Sequence, residues 1–219
     1  MTITNLNRSD YRPDIDGLRA IAILGVLVYH LYPSLLPGGF LGVDIFFVIS
    51  GFLITRHLVT SFQNKTFSIW YFYDRRIRRI LPALTVVIII TTFVLWFVLI
   101  PFPEFRRFSE SLGSVGLIAP NMYFWRVVGY FNESGSVPLL HTWSLGIEEQ
   151  FYLFWPIILS LILKLKSTWF KGKIQLTVIV SIATVSLIYS QYLAVHSAQS
   201  AFYWLPSRAW ELLAGSILG

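Results

Sequence analysis

Between Leu81 and Ile100 the chain runs for twenty residues without a charge. No other feature constrains its fold as much. A hydrocarbon core about 30 Å thick is crossed by about 20 apolar residues in a helix, and a helix satisfies its own backbone where no water can. Less clean runs of the same kind lie over about 15–32, 40–58, 147–163 and 176–195, and another opens at 207. The expected fold class is all-α, a polytopic transmembrane helix bundle of about six spans or part-spans. Composition agrees: 55% of residues are hydrophobic and 13% charged, against about a quarter charged in soluble domains.

Cysteine is absent, which excludes disulfides, thiolate metal sites and a cysteine nucleophile. No metal-binding, Walker or Rossmann spacing occurs, so no metal is expected. The net charge of +6 would suggest nucleic acid in a soluble protein. Here the basic residues gather between apolar runs, which points to membrane orientation and no nucleic-acid partner. Residues 1–14, with Arg8 and Arg12, are polar and lack a signal-peptide cleavage site. They read as a cytoplasmic N-terminal segment ahead of a membrane domain over 15–219.

The loop after the second run holds Lys65, Arg75, Arg76, Arg78 and Arg79, and is cytoplasmic by the positive-inside rule, as is the N-terminus. Lys164, Lys166, Lys171 and Lys173 mark a second cytoplasmic loop. The stretch 109–142, whose apolar run Leu112–Val128 is broken by Gly113, Gly116, Pro120, Asn121 and Arg126, must then begin and end outside, re-entrant or against the bundle. The alternative is that it crosses and the lysine loop is external.

Ionisable residues within the runs are the functional candidates. Arg19 and His30 are eleven residues apart, three turns plus roughly 20°, so they share one face about 16 Å apart along the axis. Either they line a route or a reaction path, or Arg19 snorkels to the interface and His30 is a polar rim residue. Asp44, in a run whose Gly42, Ser50 and Gly51 permit close helix approach, needs a partner such as Arg19 or His30, for structure or for catalysis. The arginines at 75, 76, 78 and 79 suit anionic head groups or bidentate phosphate recognition. In the segment from His141 to Gln150, Thr142 or Ser144 is a candidate helix cap, and two first-turn acids would suit the dipole. That explanation serves Glu149 better than Glu148, which has His141, Trp143 and Gln150 close by. A histidine and a nearby carboxylate are the usual equipment for general-base work on a hydroxyl. Arg208 and Glu211, at i and i+3, are spaced to pair, while His57 and His196 read as boundary residues.

Five stretches in order, the Arg19–His30 pair, GFLGVDIFFVISGFLI (39–54), FYDRRIRRILPA (72–83), HTWSLGIEEQFYLFWP (141–156) and RAWELLAG (208–215), resemble the membrane acyltransferase-3 family from Tyr11 to Gly219. Those bacterial enzymes O-acylate surface polysaccharides, lipopolysaccharide among them. The resemblance implies a multi-pass inner-membrane (plasma-membrane) protein, this chain being the N-terminal part of a domain of about ten helices. It further implies His30 as the catalytic histidine with Arg19 below it, and Glu148 and Trp143 beside the reaction centre. Arg75, Arg76, Arg78 and Arg79 would meet the phosphates of a cytoplasmic acyl-CoA, acetyl-CoA by family frequency. Asp44, Arg208 and Glu211 would be supporting residues, and the acceptor a polysaccharide or lipid-linked sugar. Two rivals stand beside this reading: a transporter using Arg19, His30 and Asp44 as an ion path, and a non-catalytic fragment that keeps the motifs.

Overall fold

The computed structural model describes residues 12–97, 102–127, 139–164 and 173–219, with side chains from 106 onward in the second stretch. Arg8, the Val98–Ile100 end of the third apolar run with Pro101, Val128, Lys166 and Lys171 lie outside the described residues. The helices are α1 (Pro13–Leu31), α2 (Gly42–Gln63), α3 (Ile69–Phe97), α4 (Phe102–Gly116), α5 (Pro120–Val127), α6 (Thr142–Lys164), α7 (Lys173–His196), α8 (Ala198–Tyr203) and α9 (Leu205–Leu218). A 3-10 turn, Gly39–Leu41, leads into α2, and no strand occurs among the described residues. Among the described residues four helical stretches, Gly39–Gln63, α3, α6 and α7, are long and apolar enough to cross a membrane. The expected first span is helical, but α1 carries Asp14, Asp16 and Arg19 within 19 residues and is not one of these four.

Two boundaries differ from the sequence reading. The arginines at 75, 76, 78 and 79 sit in α3 rather than in a loop. No helix breaker separates Ile69 from Pro82, and Asp74 pairs with Arg78 one turn on at 2.9 Å, so the helix extends through the charges. The sixth helix starts at Thr142, five residues before the apolar run expected from Ile147. Gly146 therefore lies inside it, where a Cβ would press on the Pro120 ring at 2.8 Å: the glycine is a seat for α5, not a boundary. Glu148 and Glu149 consequently fall in the second turn, which removes the helix-dipole explanation. Neither Thr142 nor Ser144 caps; their hydroxyls donate back to the carbonyls of Leu139 and His141.

Glycine seams hold α2 between two neighbours. A Cβ on Gly42 would strike the Ala22 carbonyl of α1, one on Gly51 the Leu212 carbonyl of α9, and one on Gly215 the Val48 carbonyl of α2. Lipid offers no hydrophobic drive for helix association, so close backbone approach supplies it through dispersion. Around these seams Phe47, Ile54, Leu58, Ile147, Trp155, Leu159 and Leu212 form the core. Gly51→Ala should cost about 1–3 kcal/mol by overpacking, whereas Gly113→Ala, with nothing within 4 Å of its Cβ, should be neutral or gain up to about 1 kcal/mol. Thermal unfolding of the two variants in detergent checks the contrast.

The cross-helix contacts also fix direction. Phe47 meets Trp143, Ser50 meets Glu148 and Thr55 meets Trp155, so α2 and α6 run parallel. Tyr73 bonds the Leu153 carbonyl while Arg76 covers Tyr152, so α3 runs antiparallel to α6. The chain between α3 and α6 thus returns to the side on which α3 ends, and α4 and α5, of 15 and 8 residues, are too short to cross. The parallel run makes a labelling prediction. In this cysteine-free chain, cysteines placed at Lys65 and Lys164 should react with an impermeant thiol reagent from one side of the membrane and a cysteine at Leu35 from the other. Labelling of Lys65→Cys and Lys164→Cys from opposite sides would break the arrangement.

Candidate functional site

The register of α2 on α6 brings Ser50 opposite Glu148. The Ser50 hydroxyl donates to Oε1 of Glu148 at 3.0 Å, and the Tyr152 hydroxyl, one turn along α6, donates to Oε2 at 3.0 Å. The Arg76 guanidinium lies over the Tyr152 ring, 4.6 Å from its centroid, and 5.6 Å from that of Phe72, a cation–π arrangement that holds a charge against a buried ring. Through these contacts α2, α3 and α6 meet around Glu148. A little further along, the Trp155 indole N–H donates to Thr55 Oγ1 at 2.8 Å and locks the register. Ser50 and Tyr152 were not singled out as site residues from sequence. The available signal was the i, i+4 spacing of Glu148 and Tyr152, which places both on one helix face.

His30 occupies the last turn of α1 and is exposed. Its Nδ1 lies 2.8 Å from the Val26 carbonyl oxygen. A carbonyl only accepts, so Nδ1 carries the hydrogen, and the neutral ring has its lone pair on Nε2. Edge-on contact with Tyr29 at 5.5 Å, and of Tyr29 with Phe40 at 5.5 Å, ties the imidazole to the entrance of α2. Three turns below, Nη1 of Arg19 is 4.0 Å from the Asp16 carboxylate, and its buried Nε has no hydrogen-bond partner.

Asp44 pairs with neither Arg19 nor His30. Its partner is Arg208 of α9, which also holds Glu211 at 3.2 Å. The Arg208 guanidinium is boxed by the rings of Phe47, Trp143 and Phe202, at 5.4, 5.9 and 5.8 Å from their centroids. Trp143 is thus a wall of the arginine box, tilted against Phe202 at 4.2 Å. The four α3 arginines spread over roughly 160° of helix surface, so they form a broad band of charge rather than a single point. Arg76 turns inward; Arg75 lies over Tyr71 at 5.7 Å, Arg78 pairs with Asp74, and Arg79 is exposed.

The family described as Acyltransferase domain matches residues 12–219. The chain belongs to this acyltransferase family. It is 37% identical over 215 residues to the peptidoglycan O-acetyltransferase OatA of Listeria monocytogenes, an alignment covering 95% of this chain and 33% of the relative. It is also 37% identical over 213 residues to the O-acetyltransferase OatA of Staphylococcus aureus, covering 95% and 34%. The acyltransferase-family chain thus spans about a third of the length of these curated relatives. The name of the first relative gives peptidoglycan, and these relatives lend no support to lipopolysaccharide. No solved structure matches the chain.

Proposed function

We propose that the protein is an O-acetyltransferase that moves an acetyl group from coenzyme A to a hydroxyl of a cell-surface polysaccharide. The observation that carries the reading is the state of His30: a ring oriented through Nδ1–H to Val26, with a basic Nε2 left for an incoming proton or acyl group. Family membership and the O-acetyltransferase names of the relatives support the reaction class. The donor enters from the arginine-rich end of the bundle, which the positive-inside rule makes cytoplasmic along with the N-terminus, in the plasma membrane. Arg75, Arg76, Arg78 and Arg79 meet its phosphates, and the acyl arm runs along the Arg19–His30 face. Nε2 of His30 takes the hydroxyl proton as the sugar oxygen attacks the thioester carbonyl. The carbon–sulfur bond breaks, and the coenzyme leaves as its thiol with the proton returned by the imidazolium. In the two-step variant Nε2 first carries the acetyl group and the coenzyme leaves at that stage.

Membranes containing the protein, given radiolabelled acetyl-CoA and glycan acceptor, should place label in the glycan; label absent from both glycan and protein would sink the proposal. Arg76→Ala should raise the donor KM about tenfold or more, because a charge-assisted hydrogen bond contributes about 1.5–3 kcal/mol, while turnover at saturation changes less. An unchanged donor KM would return the arginines to a purely topological role.

A further inference from the structure

A cavity of about 190 Å³ opens between the first two turns of α2 and of α6, lined by Val43, Phe46, Phe47, Ser144, Leu145 and Glu148. Because the two helices run parallel, both starts lie at one end of the bundle. The short connection from Tyr32 to Leu41 brings the end of α1, and His30 with it, to that same end. The α3 arginines lie toward the other end, since α3 runs antiparallel to α6. We infer that this cavity is the acceptor subsite, built for a pyranose ring of the polysaccharide that carries the hydroxyl to be acylated; the inference rests on the O-acetyltransferase reading.

The wall chemistry separates a sugar from the acyl group. Each carboxyl oxygen of Glu148 already takes one hydrogen bond, from Ser50 and from Tyr152, and keeps a lone pair for a further donor. An acyl thioester has no donor near its carbonyl, and its oxygen would face a like partial charge. Sugar hydroxyls supply the donors that this acid lacks. Phe46 adds flat apolar surface, which suits the C–H face of a pyranose, while Phe47 is fully buried and backs the lining. The Ser144 hydroxyl, which spends its hydrogen on the His141 carbonyl at 3.3 Å, still accepts. Apolar walls with a few placed polar groups are the usual make-up of a small-molecule site. Phe47 is itself braced from behind by Arg208 at 5.4 Å and edge-on by Trp143 at 6.3 Å, so that wall is preorganised.

The test needs no turnover. Saturation-transfer NMR on the full chain in nanodiscs, with an N-acetylglucosamine trisaccharide and maltotriose as separate probes, should show transfer to sugar C–H protons for at least one of them. Phe46→Ala and, more strongly, the cavity-filling Leu145→Trp should reduce that signal at least fivefold, while transfer to the adenine protons of acetyl-CoA persists and reports that each variant is folded. Ser144→Ala, which removes one acceptor and no volume, should reduce it about twofold. Absence of transfer to both sugars in the unaltered protein overturns the inference, as does a sugar signal that Phe46→Ala and Ser144→Ala leave unchanged. Loss on Leu145→Trp of transfer to the acyl protons of butyryl-CoA, with sugar binding retained, would assign the cavity to the donor and equally overturn it. Sugar binding that follows these variants, in a protein that moves no label from acetyl-CoA, would leave the cavity standing and defeat the proposed reaction.

Discussion

His30→Gln should lower acetyl transfer to glycan by about 10²–10⁴-fold, the usual contribution of a positioned acid–base group, without loss of protein from the membrane. Glutamine is the informative replacement. Its amide stands where Nε2 stands but has no basic lone pair; His30→Asn, whose amide stands where Nδ1 stands, keeps the bond that His30 makes to the Val26 carbonyl at 2.8 Å and should lose as much activity. His30 is exposed, which limits the structural cost of any change there. The same assay distinguishes two chemistries. Label on the protein that mild acid or hydroxylamine releases and that vanishes in His30→Gln identifies an acyl-imidazole carrier; label found only in glycan identifies a general base. Transfer within a factor of three of the unaltered protein would remove His30 from the reaction altogether.

Arg208→Met should destabilise the protein by about 3–5 kcal/mol, the cost of removing one partner from a buried ion pair. In a domain of this size that is a fall in Tm of about 10 °C or more. The size follows from what is left behind. The side chain of Arg208 is 15% exposed and that of Glu211 3%, and without the guanidinium two carboxylates face each other across α2 and α9 within three aromatic rings. Neutralising the acids as well, in Arg208→Met with Asp44→Asn and Glu211→Gln, should restore most of the loss, because the burial of uncompensated charge is then relieved. Thermal unfolding in detergent checks both variants. A shift under about 1 kcal/mol for Arg208→Met alone would show the box to be wet.

Much of the fold was legible because lipid imposes so few solutions. Apolar length marked α3, α6 and α7, and glycines at 42 and 51 marked close approaches that the seams to Ala22 and Leu212 now explain. The placement of Asp44 opposite Arg208 was not legible: 164 residues separate them, and nearer cations stood on the preceding helix. Ion pairing is set by which faces meet, and periodicity gives faces without giving neighbours. The arginines of α3 were misplaced for a related reason. Charge distribution fixes the side of the membrane, but says nothing about whether the backbone there is coiled or free. The helix α6 opens at Thr142, ahead of the apolar run that begins at Ile147, because the turn carrying Gly146 packs on Pro120 rather than on lipid. At the site, the i, i+3 spacing announced the Arg208–Glu211 contact, whereas the hold of Ser50 on Glu148 depended on the α2–α6 register.

The seam between α2 and α9 also dictates an order of events at the ribosome. Ser216 and Gly51, which meet across it, are 165 residues apart in sequence. At about 5–20 residues per second, the α9 side of the seam is made roughly 10–30 s after the α2 side. For that interval the glycine face of α2 lies open in the bilayer, available to insertase, lipid or a neighbouring nascent chain. A ribosome stalled before Leu212 would leave a membrane intermediate whose second helix is inserted but unseated, a natural substrate for membrane quality-control proteases.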